Sequence, residues 1–397
     1  MANVELGAPT PKSLIETSQL YTLSSQHYVR GVNIPVLTSL RALRVRLGWS
    51  QAHAGERANI SRQAYAAIES GRSVPSTEVA LRLSDAMGVT VEELFQLRET
   101  RTPAREVEDA GLGGPPAGRI RLARISGHER AFMLGPGTTH APTPADGMGE
   151  RLQGNRMRVR LFPDRPPSPE LVVAGCDPAF GLVAERMRRR HGIEILWLKA
   201  GSHAALDALA RGAVHVAGVH LRDPSSGIYN EPWIRRIVPF PTARIRFAEW
   251  EQVLVLEPGN PHRIDDLAQL AGSKLRFLNR APGTGSRTLI EAVLARAGIP
   301  GSTIPGFHET VADGHETVGA AVASGAASAG VAIRAVADAR GLSRIPLTRE
   351  PYDLVIAEHF LELPAVQALL AVLRTPGLQR EIESLGGYDA SRMGLPA

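Results

Sequence analysis

One cysteine, Cys176, occurs in 397 residues, so no disulfide can form within the chain. Lysine is nearly as scarce: of 45 basic residues, only Lys12, Lys199 and Lys274 are not arginine. No apolar run approaches the roughly 18 residues that would span a membrane. Residues 1–37 also lack the charged-then-apolar order of a secretion signal. The expectation is a cytoplasmic protein with no membrane partner. Catalytic signatures are missing too. There is no phosphate-binding P-loop, no G-x-S-x-G elbow and no close Cys/His spacing of the kind that holds zinc. The expectation is therefore no enzyme, no metal and no cofactor.

The chain exceeds one ordinary domain, and its length suggests two or three. A hydrophobic fraction of 43% is enough to fill real cores. The formal net charge of +5 permits a polyanionic partner. Arginine suits such a partner, because its planar fork engages phosphate and guanine bidentately.

Composition divides the chain four ways. Residues 1–36 show no sustained period and read as a mobile tail. Residues 37–98 carry dense helical periodicity. Residues 99–168 read as a linker, Gly/Pro-rich at 111–116, with a short β segment from Arg119–Leu134 and Met157–Phe162. From residue 169 to 397, short apolar strands alternate with helical stretches, as in a parallel α/β sheet.

Five helices are expected in the second segment. Leu40, Leu43 and Leu47 share a helical face that stops at Gly48. Ser50 caps a second helix, which ends near Asn59, a residue that tolerates the left-handed conformation. Ser61 caps a third, Arg62–Ser70, with Tyr65 and Ile68 inward. Ser76 or Thr77 opens the fourth, and Thr90–Glu93 forms a capping box for the fifth. The stretch from Trp49-Ser50-Gln51 through Ile60-Ser61-Arg62-Gln63 and Ile68-Glu69-Ser70-Gly71-Arg72 to Pro75 resembles the Xre/phage-repressor type of helix-turn-helix. The resemblance spans the whole five-helix unit. In two places the chain departs from that pattern: Ala54 stands where a larger apolar residue is usual, and Gly55 where Ala is usual.

The resemblance implies double-stranded DNA as partner, with the third helix entering the major groove by its N-terminal end. Arg62 and Gln63 sit there, and these side chains read guanine and adenine edges. Ser61 and Ala66 flank them on the same approach, and Gln51 and Arg72 fall where phosphate contacts are expected. The segment is only mildly basic, with eight arginines against six acids. One such module makes few phosphate contacts, so two half-sites and a homodimer are implied.

The last segment reads β-α-β-α-β from Leu171 to Val219. A second such unit begins near Leu275, which suggests two lobes around a cleft. "LVVAGCDPAFGLVAERM", "GAVHVAGVHLRDP", "WEQVLVLEPGNP", "RFLNRAPGTGSRTLIEAVLARAGI", "AVASGAASAGVAI" and "REPYDLVI" resemble the type II periplasmic-binding-protein fold, in the branch similar to molybdate-binding proteins. The fold class expected is thus multidomain: an all-α helix-turn-helix domain, a small β segment, then a two-lobed α/β domain. The resemblance implies a small-molecule effector at the carboxyl ends of the strands.

Candidate ligand residues are Asp177, Ser202, His203, Arg280, Thr284, Gly285, Ser286, Arg287 and His315. Helix N-termini with hydroxyls and a guanidinium suit an oxyanion such as molybdate or tungstate. Asp177, which also reads as the N-cap of a Pro-led helix, opposes a simple anion. Asp223, Glu350 and Asp353 are further acids expected near the cleft. A larger organic ligand, pterin- or nucleotide-like, would accommodate such mixed charge. Alternatively, the domain only scaffolds a dimer. His203, His220 and His315 are expected to be structural, and Cys176 to pack in the core. Hinge crossings are expected near Trp250–Pro258 and Arg349–Tyr352. RNA polymerase becomes the expected partner if ligand does not control DNA affinity.

Overall fold

The computed structural model describes residues 36–97, 103–135, 137–140, 143–309 and 311–397. The expected tail at 1–35 and the start of the expected linker lie outside the described residues. Two units divide after Arg101.

The first unit opens with strand β1 (Val36–Thr38), followed by helices α1 (Leu40–Arg46), α2 (Gln51–Arg57), α3 (Arg62–Glu69), α4 (Thr77–Met87) and α5 (Val91–Leu94), and closes with β2 (Phe95–Leu97). The hydroxyl oxygens of Ser50, Ser61 and Ser76 accept from backbone N–H groups of the first turns they precede, and Thr90 with Glu93 makes the full capping box. Gly48, Asn59, Gly71 and Gly88 take the left-handed conformation at the turns between the helices, Asn59 with a φ of 53°. Leu40, Leu43, Ala54, Tyr65, Ile68, Leu83, Met87 and Leu94 form the core. β1 and β2 pair antiparallel, Val36 with Leu97 and Thr38 with Phe95, which brings the ends of the unit together. Helical periodicity alone gave no sign of this ribbon.

The second unit begins with a correction to the expected linker. β3 (Arg105–Asp109), β4 (Ala117–Ile125), β5 (His128–Leu134), β6 (Gly147–Arg151) and β7 (Arg156–Leu161) close into a barrel in the order β3-β5-β4-β6-β7. Val107, Ile120, Leu122, Ala131, Met133, Met157 and Val159 fill it. The Gly/Pro run at 111–116 is not a free linker. Arg151 donates to the carbonyls of Gly113 and Gly114 and to Asp109, which fastens the run to the barrel. On their other side, Ala123, Ile125, Phe132 and Leu134 join the core of the following α/β layer.

That layer is one continuous sheet. It holds β8 (Leu171–Gly175), β9 (Ile195–Lys199), β10 (Val216–Val219), β11 (Thr242–Leu256), β12 (Phe277–Arg280), β13 (Val311–Ala312), β14 (Ala329–Ile333) and β15 (Ser343–Ala357), with β16 (Tyr388–Asp389) against β11. The order is β13-β12-β14-β11-β15-β10-β8-β9. Helices α6 (Phe180–His191), α7 (Ser202–Ala210), α8 (Glu231–Ile237), α9 (Gly285–Arg296), α10 (His315–Ala323), α11 (Arg334–Asp338), α12 (Pro364–Leu373) and α13 (Pro376–Glu383) complete it. β8, β10 and β14 are buried along their whole length, as parallel strands covered on both faces must be, hence their unbroken apolar runs.

β11 and β15 are each 15 residues long and pair antiparallel from Thr242–Ala357 to Leu256–Ser343. One end of this ribbon extends the sheet of β8, β9 and β10; the other extends that of β12, β13 and β14. Trp250 faces Glu350 midway, between register shifts at Arg246/Ala248 and Gln252/Val253. The two crossings between lobes therefore lie where the hinge was expected.

Candidate functional site

On α3, Tyr65 and Ile68 point into the core, whereas Arg62 and Gln63 stand exposed in the first turn. Ser61 is held as cap by the Ala64 N–H, and Ala66 is half-buried. Arg72 is exposed and donates to Ser70 Oγ at 3.0 Å. Gln51, expected to reach phosphate, is half-buried at the start of α2. Its amide donates to Glu69 Oε2 at 2.6 Å, while Arg44 Nε donates to Glu69 Oε1 at 2.7 Å. Glu69 thus ties α1 and α2 to α3, and the Gln51 side chain faces the protein.

The second site forms where β8, β10 and β12 end and α7, α9 and α10 begin. His220, just after β10, sits between two groups: its Nε2 is 3.4 Å from Cys176 Sγ and its Nδ1 is 3.0 Å from Glu350 Oε2. Gln252 Nε2 donates to the same carboxylate oxygen at 3.2 Å, and Ser286 Oγ donates to Gln252 Oε1 at 3.2 Å. Burial opposes charge on His220, but Cys176 and Glu350 outweigh it and hold the imidazole up at about 9. Trp250 meets the rings of both His220 and His315 edge-on, with centroids 4.8 and 5.2 Å away.

Arg280, the last residue of β12, is 2% exposed, and its Nε and Nη1 have no protein partner. Burial pulls its pKa down from the usual arginine value, and Cys176 and Asp313 act in the opposite sense. His315 is 1% exposed with neither ring nitrogen partnered, and the Trp250 indole N–H is also without an acceptor. Burial, reinforced by Arg280, holds His315 neutral. The rim is closed by contacts between lobes. His203 Nδ1 lies 2.7 Å from the Gly283 carbonyl, and Lys199 pairs with Asp313 at 3.0 Å. Gly285 abuts β10 so closely that a Cβ there would lie 2.2 Å from the His220 carbonyl oxygen. The barrel contributes His140, which stacks on Trp197 at 3.9 Å and reaches the Gly175 carbonyl at 2.9 Å.

A helix-turn-helix family model matches residues 40–94, and a PBP superfamily domain model matches residues 184–374. Over 60 residues the chain is 42% identical to a Bacillus subtilis protein described as an uncharacterized HTH-type transcriptional regulator, YgzD. That match covers 15% of this chain and 91% of the relative. The chain belongs to the helix-turn-helix regulators. Over 227 residues the chain is also 26% identical to a Bacillus subtilis protein described as uncharacterized, YvgK, covering 57% of this chain and 73% of that protein. Among solved structures, the Azotobacter vinelandii periplasmic molybdate-binding protein is similar over 55% of this chain and 98% of its own, at 19% identity and a TM-score of 0.43. The two matching families are regulator and binding-protein types, not enzyme families. Among the described residues, no helix is long and apolar enough to cross a membrane.

In this regulator the expected ligand residues divide. Arg280 and His315 meet at the strand ends with unpartnered polar atoms, and Ser286 and Ser202 support them from behind, Ser202 by accepting from the His220 N–H at 3.1 Å. Thr284 is the cap of α9 and donates to the Ala281 carbonyl. Arg287 turns away: its guanidinium pairs with Glu291, donates to the Phe307 carbonyl and lies over that ring, all within the second lobe.

Asp177 does not cap a helix, since α6 starts only at Phe180. Its Oδ1 accepts from Ala179 N–H and the Tyr388 hydroxyl, and burial pushes its carboxyl up to about 6. Glu350 borders the cluster, whereas Asp353 binds Arg246 and Asn230, and Asp223 serves its own turn and Arg236. Cys176 packs in the core as expected, but the sequence did not reveal that it and His220 meet at the cleft. Their partners lie 44 and 130 positions away in sequence, beyond any spacing motif.

Proposed function

We propose that this helix-turn-helix regulator senses a small anion between its lobes and couples its capture to operator binding. The observation that carries the reading is Arg280. A buried guanidinium with two unpaired donor nitrogens is costly unless an anion completes it. The unpartnered N–H groups of His315 and Trp250 supply neutral donors beside it, which suits a tetrahedral oxyanion of the molybdate or tungstate type. Arg280, His315 and Trp250 bind in this reading; Ser286, Gln252 and Glu350 fix the wall behind them. A second reading is favoured by Asp177, whose buried Oδ2 lacks a donor. A larger organic anion with its own N–H or O–H group, pterin- or nucleotide-like, would satisfy both Arg280 and Asp177.

On the DNA side, Arg62 and Gln63 read base edges and Arg72 holds phosphate, and two copies of the chain occupy two half-sites. Calorimetry of the whole chain with molybdate, tungstate and sulfate tests the ligand. Heat that disappears in Arg280→Ala supports the oxyanion. An organic anion recovered from protein purified without stripping, with no heat from any oxyanion, favours the second reading. A ligand bound away from Arg280 rejects the site.

A further inference from the structure

Cys176 Sγ, a ring nitrogen of His220 and a ring nitrogen of His315 lie within 4.8 Å of one another, and all three residues are buried. They arrive from the end of β8, the end of β10 and the start of α10. The His220 imidazole is oriented from behind: Glu350 takes Nδ1, which leaves Nε2 facing the Cys176 sulfur. Metal-binding histidines are held by carboxylates in this way. Glu350 is itself fixed by Gln252, and Gln252 by Ser286, so the support extends two residues back into the wall. His315 provides an independent observation, since both its ring nitrogens are buried without a protein partner.

We propose that Cys176, His220 and His315 form a binding site for a thiophilic divalent transition cation, of which zinc(II) is the best fit. One sulfur and two imidazole ligands select borderline-soft cations over magnesium and calcium, which demand oxygen. Around tetrahedral zinc, such ligand atoms sit about 3.3–3.6 Å apart, as follows from bond lengths of ~2.0–2.3 Å. The Cys176–His220 separation of 3.4 Å already meets that spacing, and His315 has only to approach. Three protein ligands leave a fourth position open, the pattern of zinc sites that take an exchangeable group. The Cys176 thiolate and Glu350 carboxylate offset the cation's charge. Arg280 acts on the same cluster with like sign to the metal, so an anion seated on Arg280 would favour metal binding. The cation site goes beyond the anion-sensing reading and does not depend on it.

Cobalt(II) titration of the full chain, freed of metal by a chelator and monitored by absorption, with zinc(II) calorimetry in parallel, tests the site. The expected result is one cobalt per chain with a thiolate-to-cobalt charge-transfer band. Cys176→Ser should abolish the band, and both Cys176→Ser and His315→Gln should weaken zinc by about 100-fold. Glu350→Gln should weaken it by about 10–100-fold while leaving the band in place. Arg280→Ala reports on the anion reading separately: it should lose anion heat and keep the cobalt band. Because the site lies in the unit after Arg101, a cooperative thermal melt of that unit, followed by tryptophan fluorescence, certifies that each variant folds. A wild-type chain whose second unit melts cooperatively yet takes up neither metal overturns the site, as does uptake unchanged in both Cys176→Ser and His315→Gln.

Discussion

Arg280 is buried with Nε and Nη1 unpartnered, so on the proposed reading it weakens the ligand-free fold while serving the ligand. Replacing it with methionine keeps its apolar stem and removes the charge. Arg280→Met should therefore raise the melting temperature of the ligand-free chain, by about 1–3 kcal/mol in stability, while eliminating the anion response. A lowered melting temperature would mean that the guanidinium has an internal partner and is structural. Gly55 invites a similar comparison. Helix propensity alone favours Gly55→Ala by ~1 kcal/mol. A Cβ there would sit 2.9 Å from the Ile60 carbonyl oxygen in the turn between α2 and α3, so the substitution should lower the melting temperature of the unit. The sequence marks Gly55 as a departure from the family pattern, but only the packed turn supplies a reason for it.

His215 gives the pH dependence at this scale. Its Nδ1 accepts from the Val172 N–H at 3.0 Å, a bond only the unprotonated nitrogen can make. Burial, aided by His359, lowers its pKa to about 4. The unfolded chain therefore takes up this proton first as pH falls below the ordinary histidine value of about 6.5. The stability His215 contributes is full above that pH and is lost as pH falls toward 4, by an amount of order 3 kcal/mol at most. His215→Gln should flatten this part of the stability–pH curve; an unchanged slope between pH 6.5 and 4 would assign it to other groups.

At the scale of elements, the helix-turn-helix was legible because its signals are local. A serine three residues before a backbone donor, an asparagine at a left-handed turn and an apolar stripe at period 3.6 are all read within one turn of chain. Strands β8, β9, β10, β12 and β14 were legible for the same reason, as apolar runs between turn residues, whereas the long ribbon of β11 and β15 was not. Nor was the barrel. Strands were expected at Arg119–Leu134 and Met157–Phe162, but closure depends on pairing β3 with β5 across 22 residues and with β7 across 48–54, which no local period records.

The contact of Gln51 with Glu69 was illegible for a related reason, since Glu69 lies 18 residues further on. Glu69 joins three helices through Arg44 and Gln51, its side chain only 5% exposed. Glu69→Ala leaves Arg44 half-buried and unpaired and should cost about 2–3 kcal/mol. It should also free Gln51 to swing outward. Thermal melts measure the first effect. The second predicts that the variant's remaining folded fraction keeps its base preference, because Arg62 and Gln63 lie on the opposite, exposed turn; altered sequence preference in footprinting would place Gln51 or Glu69 in the recognition itself.

For the whole molecule, sensing reduces to one coupling free energy. A ligand can change operator affinity only by as much as its own affinity differs between the DNA-competent arrangement and the other. Typical couplings are ~1–3 kcal/mol, about 5- to 150-fold in affinity. On the proposed reading, the part that moves is the ribbon joining the lobes. β11 and β15 are the long strands that run through both lobes, and the contacts that close the cleft, His203 to Gly283 and Lys199 to Asp313, are few and polar. On that reading, an anion on Arg280 would bridge charge from the second lobe toward groups of the first and so favour closure. Operator affinity measured at fixed salt, with and without saturating anion, should differ by a factor within that range. Fixed salt is essential, because phosphate contacts alone shift affinity steeply with ionic strength. Linkage adds a stricter requirement: operator DNA must change anion affinity by the same factor in the same sense. Arg280→Ala should keep the operator affinity of the ligand-free chain and lose all response to the anion. If wild-type protein binds the anion yet shows equal operator affinity with and without it, the sensor does not act on DNA binding, and its output must pass to another partner such as RNA polymerase.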